Sequence, residues 1–173
     1  MNKQKLKRTD IKSLLDLLAD KDGVIRKKAR KALVAMGEIV VPSLTRVLRN
    51  SKLDHLRWEA AKSLGAIGDV RAIPSLVKAL EDGDIDVAWV AADVLRKFKK
   101  DAWPALFRAL IKSKPDSILL RQGVHHVLLN QKEDGFNDLL ITLMKALKSS
   151  AAPELTTIAA NEILKRMKQN NEL

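Results

Sequence analysis

Trp89 and Asp93 stand four residues apart in a helically patterned stretch, so an indole and a carboxylate share one face. Trp58 has a parallel setting, with Glu59 beside it and Lys62 four residues on. Indoles give a large contact area and stack on partner side chains or bases. Lysines beside them would meet carboxylates or phosphates. Lys27, Lys28 and Lys31 belong to a run of five basic residues within 26–31. His125 and His126 are adjacent and so point about 100° apart on a helix, which prevents them from chelating one ion together. His126 has no carboxylate four residues away, so no zinc site is expected. Glu81, Asp82, Asp84 and Asp86 lack the spacing and closing Glu of a calcium loop, and turn formation with N-capping accounts for them. The sequence has no Gly-rich phosphate loop and no Gly-x-Ser-x-Gly. Neither a metal nor a cofactor is expected.

The elements that must position these residues emerge from self-alignment. Val41-Pro42-Ser43-Leu44 matches Ile73-Pro74-Ser75-Leu76 and Trp103-Pro104-Ala105-Leu106. Degenerate copies begin at Ile11 and Leu140. A second helix also recurs: Arg57 to Gly68 aligns with Arg26 to Gly37 and with Ala88 to Phe98. Proline belongs in the first turn of each leading helix, where its missing N–H costs nothing. Glycine ends the second helices. Thr9 is read as the cap of the first helix, with residues 1–8 a flexible basic tail. Lys114-Pro115-Asp116 is read as a break, and 149–153 as the last link. Ten helices in five pairs follow, with no strand. Ala60, Ala61, Leu64 and Ile67 are the packing positions. Arg57 is expected to reach Asp54 or Asp22, and Trp103 to pack at a helix start. His125 aligns with a packing alanine and is expected to be at least half-buried.

Leu56-Arg57, Ala60-Ala61, Leu64-Gly65, Ile67-Gly68 and Pro74 resemble the HEAT-repeat family, in particular the short repeats of phycobilisome lyases. That resemblance implies an all-α solenoid whose second helices line a concave face. Equivalent positions then form rungs. One reads Lys27, Trp58, Trp89, Gln122, and the next Lys31, Lys62, Asp93, His126, Glu162. A third includes Ala66, Lys97 and Arg166. The expected groove has lysines at its N-terminal end, two stacked indoles in the middle, and an Asp and a His beyond. Trp89 with Asp93 also resembles the cleft of alkylpurine DNA glycosylases. That likeness would make Asp93 a catalytic carboxylate between Trp58 and Trp89.

Composition narrows the function. The 173 residues carry a net charge of +11, and residues 1–31 hold eleven Lys/Arg against four Asp. Such a charge suits an acidic protein, nucleic acid or an anionic surface. There is no cysteine, which excludes disulfides and thiolate metal sites. No apolar run approaches the roughly 18 residues of a membrane span. The Lys-rich start has no signal-like apolar segment. A cytoplasmic location and a single domain over 1–173 are expected. The expected function is a non-enzymatic binding or scaffold module that takes an acidic protein or peptide on its concave face. Nucleic-acid binding is the alternative.

Overall fold

The computed structural model describes residues 3–113, 117–149 and 153–173, which hold ten α-helices and no strand. In chain order they are α1 (Lys3–Leu18), α2 (Gly23–Ala35), α3 (Val41–Asn50), α4 (Asp54–Ile67) and α5 (Ile73–Ala79). There follow α6 (Ile85–Phe98), α7 (Trp103–Lys112), α8 (Ile118–Leu128), α9 (Asn137–Lys148) and α10 (Pro153–Gln169). α1 begins at Lys3, six residues before Thr9, so Thr9 lies inside the helix and does not cap it. The expected break at 114–116 and most of the last link lie outside the described residues.

The same junction is built three times. Short 3-10 turns at Gly37–Val40, Val70–Ala72 and Lys99–Ala102 feed helices with Pro42, Pro74 and Pro104 in their first turn. Each second helix before it must end by reversing the backbone. Gly37 and Gly68 do so with φ of +66° and +75°. The matching places in the next two copies hold Lys99 and Asn130, at φ +50° and +63°. Asn tolerates such backbone well, and Lys does not. At the other ends, Asp22 and Asp84 accept hydrogen bonds from the N–H of Val24 and Val87, which satisfies donors the helix leaves open.

One apolar core runs the length of the stack. Ala60, Ala61 and Leu64 are fully buried, as are Ala91, Ala92 and Leu95 one repeat later. The small residues let second helices approach closely. Gly65 carries this furthest, because a Cβ there would overlap the Val94 side chain across the α4–α6 contact. Trp103 is buried as expected, edge-on to Phe136 and beside Phe107, and its Nε1–H donates to Gln131 Oε1 at 2.9 Å.

The stack is regular as far as α8. Second helices pack in series, α2 on α4, α4 on α6, α6 on α8, and α3, α5 and α7 form the other layer. The last pair is turned over. α9 packs on α8, and α10 packs on α7. Glu162 and Arg166 therefore do not continue the rungs assigned to them. Arg166 instead holds Asp138 of α9 at 2.8 Å and the carbonyl of Gly135.

Candidate functional site

The second helices place the predicted residues on one face, with differing fates. Lys27, Lys28 and Lys31 on α2 are exposed, as are Lys62, Asp93, Lys97 and Gln122. Glu59 departs from the expectation of a free groove residue. It is 4% exposed, bonded to Arg30 and 3.5 Å from Arg26. A carboxylate this buried needs such partners, and two guanidiniums from α2, the second helix of the preceding pair, supply them. Glu59 thus ties α4 to α2.

The recurring arginine is likewise internal, but Asp54 and Asp22 are not its partners. Arg57 grips Asp82 of the next repeat through Nε and Nη2, at 2.8 and 2.7 Å, and its Nη1 donates to the carbonyl of Ser51. Arg26 donates to the carbonyls of Asp20 and Lys21. Arg121 donates to the carbonyls of Ala146, Leu147 and Ser149, at the C-terminal end of α9, and to Thr156. Each arginine closes a turn that would otherwise leave carbonyls unpaired, and at α9 it also offsets the helix dipole.

The two indoles share a rung but not a partner. Trp58 is half-buried, and Lys62 Nζ stands 4.2 Å over its ring, with Arg30 at 6.0 Å. Both distances suit a cation–π contact. Trp89 is 48% exposed and meets the His126 ring edge-on, centroids 4.6 Å apart. The rings thus pair with Lys62 and with His126 instead of stacking on each other. They also open onto different depressions. Trp58 lines one with His55, Asp84 and Asp86; Trp89 lines another with Ile118, His125 and Lys148.

Asp93 and His126 are joined. His126 Nε2 donates to Asp93 Oδ1 at 2.8 Å, a bond between α6 and α8. The search for a carboxylate on the histidine's own helix missed it, because the partner comes from the neighbouring repeat. Among the described residues no three His, Cys, Asp or Glu side chains gather as metal ligands would. His125 is partly buried, and its Nε2 is buried without a hydrogen-bond partner. Burial, then the charges of Lys148 and His126, hold its pKa below the ordinary imidazole value.

A basic depression of about 630 Å³ lies between these features. Arg30, Lys62, Arg96 and Lys97 surround it, with Ala66 and Asp93. Sequence reasoning named Lys62 and Lys97 but missed Arg30 and Arg96. Arg96 stands one residue before Lys97 in the last turn of α6, where a cation also offsets the helix dipole.

A family model described as HEAT repeats matches residues 11–96. A search of curated proteins gives no match. Among solved structures, the chain is similar to one in the complex of CpcE and CpcF of phycocyanin lyase from Nostoc sp. PCC7120. The two are 21% identical with a TM-score of 0.55, over 88% of this chain and 98% of that one. At that identity the likeness is one of fold. Among the described residues no helix is long and apolar enough to cross a membrane.

Proposed function

We propose that this chain, an all-α solenoid whose residues 11–96 are HEAT repeats, is a non-enzymatic protein-binding module that takes an acidic segment on its concave second-helix face. The observation that carries the reading is the depression ringed by Arg30, Lys62, Arg96 and Lys97. Arg30 is engaged by Glu59, and Lys62 is an exposed residue whose Nζ rests over the Trp58 ring. Lys97 stands free in solvent. Carboxylates of a partner would find three or four cations within one groove, with Trp58 and Trp89 one helical turn away as apolar contact groups. The N-terminal lysines 27, 28 and 31 extend the positive surface.

The reading is tested by charge reversal. Lys62→Glu with Lys97→Glu should abolish capture of an acidic polypeptide, such as poly-glutamate of moderate length, while the helical CD signal stays unchanged. Retention of binding by the double variant would sink the proposal. Nucleic acid is the second reading, because the same cations lie beside an indole that could stack on a base. It predicts binding of short single-stranded DNA that falls linearly in log affinity with log salt.

A further inference from the structure

The groove between α6, α8 and the C-terminal end of α9 has a character of its own. It encloses about 690 Å³. Trp89 at 48%, Ile118 at 65% and Leu129 at 37% exposure all line it. Large apolar groups gathered at one concavity mark an interaction site more often than scattered surface residues do. The partly exposed His125 ring is also in its wall, with Nε2 turned away from solvent and without a hydrogen-bond partner. The charge around it is positive. Lys148 is exposed at the rim, and the Arg121 guanidinium lies in the wall, occupied by carbonyls.

We propose that this groove anchors a peptide segment bearing a large apolar side chain beside a carboxylate. The apolar side chain lies against Trp89, Ile118 and Leu129, and the carboxylate pairs with Lys148 Nζ beside the partly exposed His125 ring. The occupant follows from charge complementarity. The groove supplies a cation, a partly exposed imidazole and no carboxylate of its own among its lining residues. The inference rests on the protein-binding reading above and adds the anchor motif of the partner. The basic depression takes further acidic residues of the same segment.

A linkage to pH follows. The charged and titratable groups around His125 are Arg121 and His126 on its own helix, Lys148 on α9, and Asp93 on α6, the last bonded to His126. In the free protein, burial and then Lys148 and His126 favour the neutral imidazole. A carboxylate set between His125 and Lys148 favours the charged form. Binding then takes up a proton and tightens as pH falls.

The test uses a capped synthetic peptide of alternating Leu and Glu, with a Gln-for-Glu analogue, titrated into the full chain by calorimetry and tryptophan emission. The Glu peptide should bind about tenfold more tightly than the Gln analogue, and several-fold more tightly at about pH 6 than at about pH 8. Trp89→Ala and Lys148→Glu should each cost about tenfold in affinity. His125→Gln, which removes the titrating ring, should retain binding at about pH 8 and lose the gain at lower pH. Equal affinity for the two peptides, or full affinity in both Trp89→Ala and Lys148→Glu, would overturn the proposal. If Lys62→Glu with Lys97→Glu abolishes binding while the groove variants do not, the broader reading stands and the groove is excluded. Failure of the Glu peptide to bind at all, with poly-glutamate still captured, also excludes the groove alone.

Discussion

His126 and Asp93 lie on successive second helices and are bonded at 2.8 Å, with the Trp89 ring against the same imidazole. The carboxylate that resembled a glycosylase's catalytic group thus fixes the wall of the α6–α8 groove. Asp93 is exposed, so the bond is of the modest, screened kind. Asp93→Ala should lower stability by less than about 1 kcal/mol, yet shift tryptophan emission, because His126 is released from its place against Trp89. A loss of several kcal/mol in chemical denaturation would show the pair to be a main tie of the stack.

Stability should reside in the packed rungs. Leu64→Ala should cost about 2–5 kcal/mol as a buried truncation. Gly65→Ala should cost about 1–3 kcal/mol through overlap with Val94, although alanine is the better helix former. Urea denaturation reads both, and a stabilising Gly65→Ala would show that α4 and α6 can separate freely.

Lys99 holds φ +50° and ψ −130° where the two preceding repeats use glycine. Lys99→Gly should therefore raise stability by about 1 kcal/mol, visible as a higher melting temperature. Gly68→Lys, the reverse exchange at the matching position, should lower it by a similar amount.

Arg57 and Asp82 form a two-pronged, largely buried pair between neighbouring repeats. A double-mutant cycle with Arg57→Ala and Asp82→Ala should give a coupling of about 1.5–3 kcal/mol. Asp54→Ala in the same Arg57 background should give little coupling.

Because burial holds His125 below the ordinary imidazole value in the folded chain, the unfolded chain takes up that proton first as pH falls. The stability it contributes is present above about 6.5 and is lost as pH drops through the lowered folded value. The denaturation midpoint of the native chain should fall between about pH 7 and pH 5 more steeply than that of His125→Gln. Parallel profiles would remove His125 as the cause.

The local elements were written in the sequence. Proline at 42, 74 and 104, glycine at 37 and 68, and the Ala-Ala–Leu spacing each act within a turn or two. Backbone geometry alone converts them into ten helices and a packing register, and Ala60, Ala61 and Leu64 are buried as that register requires. The rung also placed Asp93 and His126 side by side. Tertiary structure decided the rest, because the relation between repeats depends on how each helix layer twists and shifts against the next. One rung bonds Asp93 to His126, while the two indoles of the rung before it part, Trp58 to Lys62 and Trp89 to His126. Glu59 looks like a groove residue by spacing, but Arg30, from the second helix of the preceding pair, draws it inward. The last pair keeps the helical signals yet turns over, with α9 on α8 and α10 on α7. Periodicity sets which face of a helix is apolar, and only packing of the whole chain chooses which neighbour covers it.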